Sequence, residues 1–207
     1  MTSDNILIFK QILLALILYS AFFAHADTLA SDDMSHALVN AAKNRTLQTV
    51  LYNGAYFKID YPGGDVPQYL GVCTDVVIRS YRKVGIDLQK KVHEDMMENF
   101  KHYPSKRIWG LNKPDANIDH RRVPNLQAFF TRHGKSLSVS DKPGDYLPGD
   151  LVTWMLPGNL PHIGIVIDQF AANSPIPLIA HNIGIGPKIE NVLFQYPITG
   201  HYRYNGR

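Results

Sequence analysis

Cys73 is the only cysteine in the chain, and its position could support nucleophilic chemistry. It lies in GVCTDVVIRS, residues 71–80, where an irregular stretch gives way to a helical pattern. A thiol has an ordinary pKa of about 8.5, and a helix N-terminus or a neighbouring imidazolium lowers that pKa. The free N–H groups of a first helical turn also bind an oxyanion. The alternatives for Cys73 are a packed small hydrophobic residue and an intermolecular disulfide partner.

A catalytic thiol needs a base and a group that orients this base, and two histidines are the candidates for these roles. His162 begins one predicted strand, in PHIGIVID, and His181 ends the next, in LIAHN. Adjacent antiparallel strands run in opposite directions, so the two imidazoles are expected at one edge of the sheet, facing the helix that begins with Cys73. The alternative is a pair of hydrogen-bonded histidines at the rim of the sheet.

Helices come first along the chain and strands second, which predicts an α+β fold with N-terminal helices packed on a C-terminal antiparallel β-meander. Apolar spacing, caps and terminators predict four helices. They run from Ser31 or Asp32 to Lys43, from Cys73 to Gly85, from Asp87 to just before Pro104, and from Pro124 to Gly134. Short β-branched and aromatic runs predict five strands: DLVTWM (150–155), HIGIVID (162–168), PLIAHNI (177–183), NVLFQY (191–196) and GHYRY (200–204).

Composition limits the class of protein. The chain has 207 residues, of which 45% are hydrophobic and 19% charged, and this is typical of a globular protein. The net charge of +3 is small and its Lys and Arg are scattered, so no nucleic-acid partner is expected. The histidines and the cysteine lack the H-x-x-x-H or C-x-x-C spacing of metal sites, so we predict no metal and no cofactor.

Residues 1–26 have the pattern of a signal peptide. Lys10 precedes an apolar stretch from Ile12 to Phe23, and AHA at residues 24–26 is an A-x-A cleavage pattern. The mature chain is then expected to begin near Asp27, to be exported to a bacterial periplasm, and to have no stable membrane insertion after cleavage. The alternative is an uncleaved membrane anchor, although the apolar stretch is shorter than the roughly 20 residues that a spanning helix needs.

Three segments of the second half carry a resemblance. PGDLVTW at residues 148–154, PHIGIVID and LIAHN resemble the catalytic β-half of the NlpC-type cell-wall peptidases, a papain-like superfamily. The resemblance implies that Cys73 is the nucleophile, His162 the base and His181 the orienting residue, with Asn182 as the alternative for that third role. It also implies that residues 27–207 form one papain-like catalytic domain.

A second resemblance covers nearly the whole mature chain. YPGGDVP, GVC-DVVIR, VHEDM, NIDHRRVPNL and HNIG are similar to the YijF-like family of exported bacterial proteins, which is classed as a domain of unknown function. This resemblance is specific, but it implies no particular chemistry.

The surroundings of the thiol depart from the superfamily pattern. Typical members have D-C-S-G around the nucleophile, whereas this chain has Val72-Cys73-Thr74-Asp75. Asp75 puts a carboxylate within one turn of the thiol. That charge would oppose thiolate formation unless Arg79 or another basic residue pairs with it, and we place Asp75 among the substrate-binding candidates.

Asp119, His120 and Arg121, in IDHRR, are further candidates for substrate binding, with Asn182. Arg121 and the adjacent Arg122 suit substrate carboxylates because a guanidinium fork matches a carboxylate. The alternative is a solvated or structurally paired loop.

These expectations define a function and its rivals. We expect an exported cysteine hydrolase that cleaves an amide bond, and the resemblance implies that a peptidoglycan stem peptide is the substrate. One rival is a non-catalytic envelope binding protein that retains the fold. The other is an acyltransferase or transamidase that uses the same Cys-His pair.

Overall fold

The computed structural model describes residues 33–206 and has an α+β architecture. The predicted signal peptide, residues 1–26, lies outside the described residues. The helices of the described range are α1 (33–45), α2 (Cys73–Lys83), α3 (Leu88–Asn99), α4 (Ser105–Trp109) and α5 (Val123–His133). Its strands are β1 (Leu51–Tyr52), β2 (Leu70–Gly71), β3 (Lys135–Leu137), β4 (Leu151–Leu156), β5 (Leu160–Phe170), β6 (Pro177–His181), β7 (Lys188–Glu190) and β8 (Ile198–Arg203).

Six of these strands form one antiparallel sheet in the order β3-β8-β4-β5-β6-β7. The predicted meander is confirmed for β4 to β7, which follow one another along the chain. The last strand, β8, returns to the far side of β4 and does not extend the meander. The two short strands β1 and β2 form a separate parallel pair.

The predicted strand at residues 191–196 is wrong. This segment is a turn, with the Gln195 amide donating to the Val192 carbonyl, and the strand β7 lies just before it. Val192 and Leu193 are buried against the sheet, and the Leu193 carbonyl accepts a hydrogen bond from Trp154 Nε1 at 2.9 Å. The apolar residues that suggested a strand therefore pack against a sheet face instead of joining the ladder.

Alternate residues of β5 contribute to cores on opposite faces of the sheet, as the period of two in a strand requires. Ile163, Ile165 and Ile167 pack against the helices in the helix-side core. Val166 points the other way, into a smaller outer core with Trp154. Cys73 belongs to the helix-side core, so α2 is held against the sheet from its first residue onward.

Asp75 fixes the start of α2. Its Oδ2 accepts the Val72 amide at 2.7 Å, which supplies a partner for one of the free N–H groups at the helix N-terminus. The guanidinium of Arg121, from a 3-10 turn at Asp119–Arg121, donates to both carboxylate oxygens at 3.0 Å. Arg121 also donates to the carbonyls of Asn53 and Ala55. One buried ion pair therefore joins the helix start, the 3-10 turn and the segment after β1.

Within residues 33–206, no helix combines the length and the apolar character needed to cross a membrane.

We predict that Asp75→Asn lowers the free energy of unfolding by about 3–5 kcal/mol, because it leaves the buried charge of Arg121 without its partner. Urea unfolding followed by circular dichroism measures the change. Asp141→Asn, at an exposed position, is the control and should change the free energy by less than about 0.5 kcal/mol. A loss below about 1 kcal/mol for Asp75→Asn would show that the pair does not hold α2 in place.

Candidate active site

Cys73 is the first residue of α2, and its side chain is 4% exposed. The backbone amides of Ile163, Thr74 and Cys73 itself interact with its sulfur and favour the thiolate. Two of these amides come from the first turn of α2 and the third from β5. The sequence prediction that Cys73 begins a helix is confirmed.

The sulfur lies where β6 is no longer paired with β5. The pairing of these two strands begins with Ile165 opposite Ala180, so the first residues of β5 have no partner in β6. The backbone of Val166 is hydrogen-bonded on the β4 side. Its amide donates to the Asp150 carbonyl, and its carbonyl accepts from the Gly149 amide. Because amides alternate direction along a strand, the amide of Ile163 points toward the open β6 side, where the thiol meets it.

His162 and His181 are neighbours, as the strand directions predicted. His162 Nε2 lies 3.1 Å from His181 Nδ1, and both rings are almost fully buried. On its other side, His181 Nε2 lies 3.1 Å from a carboxylate oxygen of Glu190, close enough for an ion pair but not aligned as a hydrogen bond. The three side chains form a line from the start of β5, through the end of β6, to the end of β7.

The thiol and the His162 ring approach this site from different sides of the sheet. Ile163 shares the helix-side core with Cys73, and His162, its neighbour in the strand, points to the opposite face. There the His162 ring packs beside Trp154, with ring centroids 5.8 Å apart. Among the described residues, no hydrogen bond joins Cys73 Sγ to His162. In this conformation the His162 ring contacts His181 and Trp154 and makes no hydrogen bond to the thiol.

Burial keeps this pair uncharged in the resting structure. It raises the pKa of the Cys73 thiol to about 12, and the carboxylate of Asp75 adds to the rise in that pKa. Burial also lowers the pKa of His162 to about 3, with a further lowering from His181. At neutral pH the site therefore holds a thiol and a neutral imidazole, not a thiolate–imidazolium pair.

The contacts of the two rings define their tautomers. The oxygen of Glu190 that lies 3.1 Å from His181 Nε2 favours the tautomer of His181 with its proton on Nε2. A neutral His181 then has an acceptor at Nδ1, which requires His162 to donate from Nε2. The lone pair of His162 therefore lies on Nδ1, which has no hydrogen-bond partner among the described residues. This nitrogen is the one available to act as a base.

Gly164 allows β5 and β6 to come this close. A Cβ at this position would lie 2.5 Å from Ile179 Cγ2 and 3.1 Å from the carbonyl oxygen of Ala180. It would also lie 3.1 Å from Cβ of His181. Any side chain here would push away the strand that holds His181 against His162.

The predicted substrate-binding residues divide into two groups. Asp75 and Arg121 are each 3% exposed and paired with each other, so in this conformation they support the helix instead of facing a ligand. The pairing that the Asp75 carboxylate was expected to need is supplied by Arg121, whereas Arg79 pairs with Asp65. A substrate-binding role for Asp75 or Arg121 stays a prediction.

The second group is also buried. Asp119 binds Arg122 at 2.9 Å, and burial raises the pKa of its carboxyl group. Burial lowers the pKa of His120 to about 3, and its Nδ1 has no partner in the described part of the chain. Neither amide atom of Asn182 has a partner there either. Since His181 contacts His162 and the Asn182 amide is unpaired, the geometry favours His181 for the third role.

Sequence reasoning missed two neighbours of the site. Glu190 supplies the carboxylate behind His181. Tyr52 is a half-exposed residue of β1. Burial, and then the charge of Cys73, raises the pKa of Tyr52 to about 12. Neither residue lies in a motif, and both reach the site only through the fold.

Over residues 33–206, no group of three or more His, Cys, Asp or Glu side chains has a metal-binding arrangement.

Comparison with known proteins places the chain in a family. A family model described as a domain of unknown function, DUF1287, matches residues 39–204. The chain belongs to the DUF1287 family. It is also 52% identical over 168 residues to "Uncharacterized protein YijF" of Escherichia coli (strain K12), a match that covers 81% of this chain and 80% of that protein. The predicted YijF-like membership is therefore confirmed, and the DUF1287 match includes Cys73, His162, His181 and Glu190.

We predict that Gly164→Ala lowers the free energy of unfolding by about 1–3 kcal/mol, because the added methyl group overpacks the contact between β5 and β6. Urea unfolding measures the change. Gly144→Ala is the matched control, since a Cβ there would meet nothing within 4 Å. Equal stabilities of the two variants would contradict the close approach of the strands.

We also predict that stability falls as the pH is lowered from about 6.5, the ordinary pKa of histidine, toward 3. In this range the unfolded chain binds protons that the buried His162, with its pKa of about 3, does not. The variant His162→Gln should therefore lose less stability between pH 7 and pH 4.5 than the unmodified protein, as measured by urea unfolding. The exposed His102→Gln is the control. Parallel pH profiles for all three proteins would show that His162 is not buried in its neutral form.

Proposed function

We propose that this protein is an exported cysteine hydrolase with a papain-like, NlpC-type fold, which cleaves an amide bond in peptidoglycan stem peptides. One observation carries the proposal: a thiol at a helix N-terminus meets the start of β5 beside the buried rings of His162 and His181, and His181 in turn lies next to the partly exposed carboxylate of Glu190. Nucleophile, base, orienting group and carboxylate occur in the order that cysteine hydrolysis requires.

The first step is general-base attack. Nδ1 of His162 takes the proton of the Cys73 thiol as the sulfur forms a bond to the carbonyl carbon of the substrate amide. A preformed ion pair is not needed, because a neutral imidazole is available as a base at neutral pH. His181 holds the His162 ring with Nδ1 unprotonated, and Glu190 stabilises the positive charge that develops on the two rings.

The remaining steps release the products. The carbonyl oxygen becomes an oxyanion, which the N–H of Cys73 stabilises. The C–N bond then breaks, the leaving amine takes the proton from His162, and a thioester remains on Cys73. Water attacks the thioester and gives a proton to His162. The C–S bond breaks, the acid is released, and the proton returns to the sulfur.

The substrate class and the compartment are supported by resemblance and by the N-terminal segment. PGDLVTW, PHIGIVID and LIAHN resemble the cell-wall peptidases, and the predicted signal peptide would deliver the enzyme to the periplasm, where peptidoglycan lies. The free carboxylates of stem peptides provide anionic groups for recognition. No metal or other cofactor takes part in the proposed reaction.

One observation favours the rival function, an envelope binding protein that retains the fold. Burial raises the pKa of the thiol so far that Cys73 is protonated at rest, and the His162 ring packs beside Trp154, which belongs to the outer core. A non-catalytic protein would retain this state when it binds its partner. An enzyme must bring the sulfur and Nδ1 together when substrate binds.

The test is digestion of purified peptidoglycan and of soluble muropeptides, with the products identified by mass spectrometry. We predict that the protein releases a new amine and a new carboxylate for each bond cleaved. Cys73→Ala and His162→Ala should lose at least about 1,000-fold in kcat/KM, and His181→Ala at least about 10-fold, because it orients the base without touching the substrate. His102→Ala, an exposed histidine, is the matched control and should retain full activity.

The isotopic composition of the product distinguishes hydrolysis from acyl transfer. In water labelled with ¹⁸O, hydrolysis places the label in the new carboxylate, whereas transfer joins the acyl group to an amine acceptor without it. Unchanged peptidoglycan would contradict the hydrolase proposal. If the unmodified protein and Cys73→Ala nevertheless bound muropeptides equally well, the binding function would replace the hydrolase proposal.

A further inference from the structure

A cavity, the α1–α2 pocket, lies away from the candidate active site. Its volume is about 460 Å³. Its walls come from α1 and the turn that follows it, from the loop before β2, and from the C-terminal half of α2. The lining residues are Ala41, Asn44, Arg45, Gln48, Asp65, Gln68, Arg79, Arg82 and Lys83.

The pocket is strongly basic. Of its lining residues, three arginines and one lysine face a single carboxylate, Asp65. Arg79 donates to Asp65 from Nε at 2.9 Å, and Arg82 Nη1 lies 3.0 Å from the same oxygen. This one acid is therefore shared by two guanidinium groups, and it leaves Arg45 and Lys83 without a carboxylate of their own in the described part of the pocket.

Two donors in the pocket have no partner. Nε of Arg45 and Nε of Arg82 are buried and make no hydrogen bond to any residue in the range 33–206. Burial, and then the charge of Arg79, lowers the pKa of Arg45. A buried N–H group of a cation without an acceptor is unfavourable, so an anion in the adjacent pocket would stabilise the charges of these two guanidinium groups.

The helix separates this pocket from the thiol. Arg82 follows Cys73 by nine positions, and an α-helix has about 3.6 residues per turn. Nine positions are two and a half turns, so the two side chains lie on opposite faces of α2. The pocket therefore has a ligand chemistry of its own and does not depend on the proposed hydrolysis.

We propose that the α1–α2 pocket binds an oxyanion, the phosphate or carboxylate group of a small, multiply charged molecule. Arg45 and Lys83 carry charges that no carboxylate of the pocket pairs with, and a guanidinium fork suits two oxygens of one such group. The side-chain amides of Asn44, Gln48 and Gln68 line the rest of the cavity and are suited to hydroxyl or further carboxylate oxygens of the ligand.

Isothermal titration calorimetry of the purified protein tests this assignment, with inorganic phosphate in one arm and citrate in the other, at fixed ionic strength. We expect one saturable site per chain for at least one of the two probes. Saturation by phosphate alone identifies a phosphorylated ligand class, and saturation by citrate alone identifies a polycarboxylate. Failure of both probes to saturate a site would overturn the proposal.

Three variants with the same change in net charge locate the site. Arg45→Gln should weaken binding about tenfold or more, because it removes a charged donor. Gln48→Glu should weaken it to a similar extent by adding a like charge, and it breaks no hydrogen bond recorded for that side chain. Lys142→Gln, at an exposed position outside the pocket, should leave binding unchanged.

Unfolding midpoints measured without ligand establish that each variant is folded. Equal affinities for the unmodified protein, Arg45→Gln and Gln48→Glu would overturn the proposal, since binding would then occur elsewhere on the surface. Because the assay measures binding and not cleavage, its result is independent of whether the protein hydrolyses peptidoglycan.

Discussion

The buried ion pair between Asp75 and Arg121 is the constraint on which the candidate site depends. The two residues are 46 positions apart in sequence, and each is 3% exposed. Loss of either partner would leave a buried charge uncompensated, so the pair favours the one arrangement of the chain in which both groups are satisfied. Here it fixes the first turn of α2 to the 3-10 turn and to the segment after β1. The position of Cys73 follows from that first turn.

The same burial that positions the thiol also determines how it can react. A thiol surrounded by apolar side chains keeps its proton, and an imidazole in the same environment stays neutral. In many thiol enzymes the two groups form an ion pair at rest. In the proposed reaction the proton would move only when the sulfur and Nδ1 of His162 come together, so the reactivity of Cys73 would depend on an event such as substrate binding. A resting thiol of this kind is also protected from indiscriminate oxidation.

Local sequence patterns predicted most of the elements that carry the site. The apolar spacing after Cys73 predicts α2, and the directions of β5 and β6 bring His162 and His181 together. The sequence could not show that Arg121 pairs with Asp75, because a loop arginine has many possible acceptors until the chain is folded. Glu190 was missed for a similar reason: the apolar run at residues 191–196 was assigned to the strand, although the strand lies immediately before it.

The helix α2 contributes to both proposed sites, one at each end. Its N-terminal amides point to the sulfur of Cys73, and the positive end of the helix dipole lies there. Its basic residues, Arg79, Arg82 and Lys83, lie toward the C-terminal end, where the dipole favours cations. The dipole accounts for the basic residues of α2, whereas Arg45 comes from α1 and Asp65 is the single acid among the lining residues of the pocket. A bound oxyanion would balance the positive charge that remains there.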